Sequence, residues 1–310
     1  MLVKNSAISF YVFFVLAVGV ALQSCERKKD KHISNDTYKS GKVTFVVDDS
    51  FSPIISQEQY VFESLNPDAH INMLYKTENE AVNMLLNDSV RVAVLSRDLK
   101  PAEKDILKKY GLIPEVVRFA TDAVTLIVNK ASVDTTITVG ALKKMLNGQE
   151  TQNKTIVFDN PNSSLVRYLK DFSGNQQLKE KNIYALKSNK DVIKYVSEHT
   201  DAIGIVGFAW LDDPDKDYAP YVDKVNIVGV RDEANKAFPD QYFKPSQETM
   251  VLKQYPLSRG LYMINNTNKS GLGAGFTNFL ANDRGQRIIL KSGLLPDSIP
   301  PREVYLKSKL

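Results

Sequence analysis

The feature that most restricts the fold is an alternation between residues 42 and 210, in which short β-branched or apolar runs give way repeatedly to stretches of helical period. "KVTFVVD" (42–48), "INMLY" (71–75) and "VRVAVLS" (90–96) read as strands. They are separated by helical spacing in "SPIISQEQYVFESL", in "TENEAVNMLLN" (77–87) and, after Pro101, in "PAEKDILKKYG". "IPEVVRFA" and "DAVTLIVN" read as two more strands. The pattern then resumes as helix "TVGALKKMLNG", strand "KTIVFD", helix "SSLVRYLKDF", strand "NIYALK", helix "NKDVIKYVSEH" and strand "AIGIVGFAW". Strands that alternate with helices of about ten residues predict an α/β fold with mostly parallel sheets, and two such blocks predict two lobes. The stretch 211–256 shows no clear period beyond a strand at "VNIVGV". "YPLSRGLYMIN" (255–265) reads as a strand and "GAGFTNFLANDRGQRIILKSG" (273–293) as two closing helices.

The N-terminus carries a different signal. Lys4 precedes the apolar run "AISFYVFFVLAVGVAL" (7–22), which is short for a membrane span and reads as a secretory signal. The run ends in "LQSC", which resembles a bacterial lipobox with Gln23 at a position usually held by a small residue. Cys25 is the single cysteine of the chain, so it is the predicted lipidation site and no internal disulfide can form. A plain signal peptide and an uncleaved anchor are the alternatives. Residues 26–42, "ERKKDKHISNDTYKSGK", are polar without apolar period and read as a flexible tether. The predicted organisation is a signal segment 1–24, a tether 25–41, a first lobe from 42–122 and 257–310, and a second lobe 123–256. The absence of an acidic run after Cys25 favours a periplasm-facing lipoprotein anchored in the cell envelope.

Charge and motifs narrow the function. Forty basic against thirty-six acidic residues leave a formal charge of +4 spread over both signs, with no basic run interleaved with aromatics beyond the tether, so nucleic acid is not a predicted partner. His32, His70 and His199 have neither metal-ligand spacing nor an evident nucleophile partner, and "GxSxG", "HExxH" and P-loop patterns are lacking. No enzyme, metal or cofactor is predicted.

Four segments in order resemble the phosphate-binding, PstS-like group of ABC-transporter substrate-binding proteins. They are "LSRDL" (95–99), "AIGIVGFAW" (202–210), "YPLSRGLYMIN" (255–265) and "DRGQRIILKSGLLP" (283–296). The resemblance implies a two-lobed type II periplasmic-binding fold in which each lobe is a mostly parallel sheet flanked by helices. The chain would cross between lobes near 121–129 and 255–265, a small anion would bind in the cleft, and the closed form would dock on a membrane permease.

The resemblance also places candidate ligand-binding residues. In "DSFSP", Ser50 and Phe51 fall where the group has a Thr or Ser and an apolar residue. Ser50 either faces an anion or helps cap the helix that Pro53 begins. In "YKTENEA" the group's Gly/Ser-rich turn is missing; Thr77 and Glu80 read instead as a capping box, and Glu78 would repel phosphate. Ser96 aligns with a contact position. Arg97 beside it either grips an oxyanion or makes a salt bridge with Asp98 or Glu103. In "FDNPNSSLVRYLKDF" only Ser163 matches, with Asp159 standing where the group has Arg, Ser164 for Gly and Leu165 for Thr. Arg167 lies a turn further on, on the face of Ser163, and could replace the missing Arg only by bending back. The primary reading is a lipid-anchored solute-binding protein. The alternative is a binding-protein-like sensor or scaffold of a membrane complex that no longer binds phosphate.

Overall fold

The computed structural model describes residues 36–149, 154–178, 181–268 and 270–298; the signal segment and Cys25 lie outside them. The alternation becomes a mixed sheet in which a single long strand serves two halves. β1 (Gly41–Asp48) pairs in parallel with β2 (Ala69–Lys76) and with β3 (Val92–Leu95). β11 (Ser258–Asn265) inserts antiparallel between β3 and β4 (Glu115–Asn129). Glu115–Ala123 of β4 face β11, whereas Val124–Val128 face β8 (Ala202–Gly207), which continues in parallel to β6 (Thr155–Phe158) and β7 (Ile183–Ala185). The strand order is β2-β1-β3-β11-β4-β8-β6-β7.

The two runs read as separate strands within 113–129 are therefore one strand, Glu115–Asn129. Nothing between Ala120 and Ala123 turns the chain; Asp122 is buried at the junction, and the one irregularity is a bulge in β4 itself, where Leu261 and Tyr262 pair with Ala120 and Arg118 and leave Phe119 without a partner in β11. The second passage between halves is the segment before β11, where Tyr255 Oη donates to Val124 O (2.7 Å) and Val124 N to Leu257 O (2.8 Å). "VNIVGV" divides into β9 (Val225–Ile227), which pairs with β4, and β10 (Gly229–Arg231), which pairs with β5 (Thr136–Thr138).

The strands are apolar on both faces, as sheets covered by helices on both sides must be. In β1, Phe45 and Val47 enter one core while Val46 enters another; in β3, Val92 and Val94 part from Ala93 and Leu95 in the same way. A third core, around Ile127, Val192, Val196 and Trp210, covers the remaining face of the second half. α1 (Ser52–Leu65) and α10 (Gly271–Ala281) lie over β1 and meet through an aromatic group. Phe62 stands edge-on to Phe276 with centroids 5.3 Å apart, and Phe276 is 5.5 Å from Phe45. Each such pair adds about 0.5–1.5 kcal/mol beyond its area burial.

The described chain ahead of β1 is tied to α10. Asp36 Oδ1 accepts from Leu272 N (2.6 Å) at the start of α10, and a Cβ at Gly275 would lie 1.9 Å from Tyr38 O, so this position admits only glycine. No described helix is long and apolar enough to cross a membrane, and no cluster of His, Cys, Asp and Glu among the described residues could hold a metal ion.

Candidate functional site

Four short pieces of chain place polar side chains where the two halves of the sheet meet. β1 ends at Asp48 in a 3-10 turn, Asp49–Phe51, whose Ser50 N–H donates to Asp48 Oδ1 (3.2 Å). α2 (Glu78–Leu86) starts from Thr77, and the capping box forms: Thr77 Oγ1 accepts from Glu80 N, and Glu80 Oε2 accepts from Thr77 N. β3 delivers Ser96 and Arg97. From the second half, the turn after β6 delivers Asp159 and Ser163 to the start of α5 (Ser164–Ser173), where Ser163 Oγ accepts from Val166 N (3.2 Å). Gly174 closes that helix in the left-handed conformation at φ 75°.

The first cluster is organised by a carboxylate. Glu78 is 1 % exposed, and its oxygens accept from Ser96 Oγ (2.5 Å), from Arg97 Nε (3.4 Å) and from Arg167 Nε and Nη2. Arg167 also donates to Ser96 Oγ (2.7 Å) and to Asp171 (3.1 Å). Arg167 thus does not bend back toward Ser163; it reaches across from α5 to the first half. Arg97 makes the salt bridge that was the alternative to anion contact, donating to both oxygens of Glu103 at 2.7 and 2.8 Å, and in addition touches Glu78. Burial pushes the Glu78 carboxyl up, but the charge and hydrogen bonds of Arg167, with Ser96 and Arg97, outweigh it and hold the group below its ordinary value.

The second cluster surrounds Arg259 of β11. Its side chain is 2 % exposed; Nε donates to Asp122 Oδ2 (3.0 Å) and Nη1 to Ser164 Oγ (2.9 Å), while the guanidinium carbon lies 4.7 Å from the Phe51 ring centroid. Nη2 is also 3.0 Å from Asp122 Oδ2, close enough for an ion pair but not aligned for a hydrogen bond. Asp122 Oδ1 accepts from Phe208 N (3.1 Å). Gly207 leaves room for the pair, because a Cβ there would come within 3.2 Å of both Arg259 Nη2 and Asp122 Oδ2. Ser164 Oγ contacts Ser50 Oγ (3.3 Å), and Trp210 Nε1 donates to Ser50 O (2.9 Å), so Ser50 is held from the second half. Ser50 is not a helix cap: α1 starts from Phe51 without a side-chain cap and with Pro53 in its first turn.

Beside these clusters lies a cavity of about 270 Å³ lined by Asp48, Asp49, Ser50, Tyr75, Lys76, Thr77, Glu80, Asp159, Asn160, Ser163 and Lys187. Asp159 is buried; it accepts from Ser163 Oγ (2.5 Å) and Asn189 Nδ2 (3.1 Å). Burial raises its pKa to about 6, against those hydrogen bonds and the charge of Arg259. Asp48 is fully buried, and its Oδ2 has no hydrogen-bond partner among the described residues. Burial, and next the charge of Glu78, raise its pKa to about 7, with Arg259 offsetting part of the effect.

The predicted residues Ser50, Phe51, Ser96, Arg97, Ser163, Ser164 and Arg167 thus converge on one region. Sequence reasoning passed over Arg259, Asp122, Asp48 and the central place of Glu78. A signal was available for the first two: charged residues inside otherwise apolar strand patterns, one on each of two paired strands.

This fold defines a class. The chain belongs to the periplasmic-binding-protein superfamily, whose profile, a PBP superfamily domain, matches residues 33–284; the fold is the two-lobed type II form. Within that family the chain is PstS-like. It is 27 % identical over 264 residues to the phosphate-binding protein PstS of Borreliella burgdorferi, covering 79 % of this chain and 86 % of the relative. To the PstS of Staphylococcus saprophyticus it is 25 % identical over 239 residues, covering 74 % and 71 %. A crystal structure of a putative phosphate ABC transporter substrate-binding protein with bound phosphate from Clostridium perfringens superposes with a TM-score of 0.69 at 20 % identity, over 83 % of this chain and all of the other.

Proposed function

We propose that the protein is a lipid-anchored extracytoplasmic solute-binding protein that takes a small anion, with phosphate the first candidate, into the cleft between its lobes and presents it to the permease of an ABC importer. The observation that carries this reading is the convergence of Ser50, Ser96 and Ser164 from both halves upon Arg167 and Arg259, with Arg97 following Ser96 and Ser163 at the adjoining start of α5. Hydroxyls and arginines at helix starts are the groups that hold oxyanions, and the PstS relatives supply the ligand class.

Thermal unfolding of the full chain against phosphate, sulfate, molybdate and small carboxylates tests the reading. A ligand at 100 times its Kd adds about 2.7 kcal/mol of stability; absence of any shift with millimolar phosphate overturns phosphate import. Lipid anchoring through Cys25 is tested separately, since Cys25→Ser should abolish incorporation of a radiolabelled fatty acid that the wild type takes up. The second reading, a sensor or scaffold without an anion, is favoured by the engagement of Arg97, Arg167 and Arg259 by the protein's own carboxylates. It predicts no stabilisation by any of these anions.

A further inference from the structure

Glu78 is an unusual group to find at the centre of such a site. It sits in the first position of α2, where backbone N–H groups and the helix dipole favour a negative charge, and it is almost wholly buried. Its two oxygens take up hydrogen bonds from a serine hydroxyl at the end of β3, from Arg97 of the same half and from Arg167 of the other. One negative charge, two acceptor oxygens, a hydroxyl donor and guanidinium groups arriving from two sides make up the environment that a bound oxyanion or carboxylate would require. Here the anion is covalently part of the chain. Arg167 is the arm that closes the arrangement, and its other ion-pair partner, Asp171, is largely exposed, so Glu78 and Ser96 are the contacts that hold it against the first half.

We infer that Glu78 is a built-in counter-anion: its carboxylate occupies the place at which an anionic ligand would meet Ser96, Arg97 and Arg167, so a ligand binds there only in exchange for it. The inference rests on the proposed anion-binding role of this site and names the residue that sets its selectivity. Glu78 lowers the affinity for every anion in common, and it bridges the two halves when no ligand is present. An anion that enters must offer at least what Glu78 already gives, an acceptor for the Ser96 hydroxyl and for Arg167. The cavity next to it adds Asp48, Asp49, Glu80 and Asp159 against Lys76 and Lys187, so it supplies no surplus of positive charge to favour the newcomer.

The test compares the full chain, purified in mild detergent, with Glu78→Ala and Glu78→Gln. Each protein is melted and titrated calorimetrically with inorganic phosphate and with acetate. The inference predicts that Glu78→Ala is destabilised and that millimolar acetate or phosphate restores it, because either anion fills the vacated position, whereas acetate leaves the wild type unmoved. Phosphate should bind Glu78→Gln at least about tenfold more tightly than the wild type. Equal or weaker phosphate binding by Glu78→Gln, or anion shifts of Glu78→Ala no larger than those of the wild type, overturns the inference. Failure of Glu78→Gln to fold with and without both anions overturns it as well, since the site would then need this carboxylate itself. The outcome is separable from that of the proposed function: a wild type that ignores phosphate beside a variant that binds it refutes phosphate import while upholding the role of Glu78.

Discussion

Two arginines meet the same seam and are held in opposite ways. Arg259 is 2 % exposed, stacks on Phe51 and pairs with the fully buried Asp122 within a pair of adjacent strands. Arg167 is 24 % exposed, projects from a helix and pairs across the seam with Glu78 on a different helix. A cation locked inside the sheet cannot change partner without breaking the fold, whereas one on a partly exposed helix arm can. The contrast separates a fastening from an exchangeable contact, although sequence alone shows only two arginines near serines.

The largest effect should come from breaking the fastening. Arg259→Met leaves Asp122 buried without its partner, and loss of one member of a buried pair costs about 3–5 kcal/mol, readable as a lower urea midpoint; a loss under about 1 kcal/mol would show that Arg259 is not structural. Arg167→Met should cost less, about 2 kcal/mol, because Glu78 keeps Ser96 and Arg97. Equal losses at the two arginines would erase the distinction drawn between them. Ser163→Ala removes the cap of α5, worth about 1 kcal/mol, and takes a hydrogen bond from Asp159. The Asp159 carboxyl should therefore titrate higher than about 6 in NMR of the variant; an unchanged titration would detach that serine from the aspartate.

At pH 4 the smallest effect belongs to Asp48→Asn, and it grows with pH. A carboxyl whose folded pKa lies above its unfolded one binds more protons folded than unfolded, so it costs stability as pH rises. For Asp48 that window runs from its ordinary 3.8 to about 7. The variant should match the wild type at pH 4 and gain on it up to pH 7 or so, after which the difference stays constant. Parallel stability curves across that window would show that Asp48 is not held in a desolvated position.

The α/β alternation, the capping box of Thr77 and Glu80, the helix in "SSLVRYLKDF" and the two closing helices were legible because each depends on spacing within about ten residues. The seam was only partly legible. Serines at helix starts announce themselves locally, but the pairing of Glu78 with Arg167, 89 positions away, depends on how two halves meet. Asp122 and Arg259, 137 positions apart, become neighbours only through the register of β4 against β11. Even the apparent repulsion between Glu78 and an anion had a second meaning, because the same charge that would repel a ligand can stand in for one.

The placement of β11 also bears on how the chain acquires its structure as it is made. β3 ends at Leu95 and β4 begins at Glu115, yet the strand that joins them is residues 258–265. Until that segment emerges, the first half has two strand edges with free backbone groups and a row of Val, Ala and Leu side chains beside them. Synthesis from the N-terminus therefore leaves the first half unfinished until the whole second half has been made. That is the interval in which a long-range pairing is slowest to form and exposed strands most readily aggregate, and in which a chaperone that shields strand edges would matter most to yield.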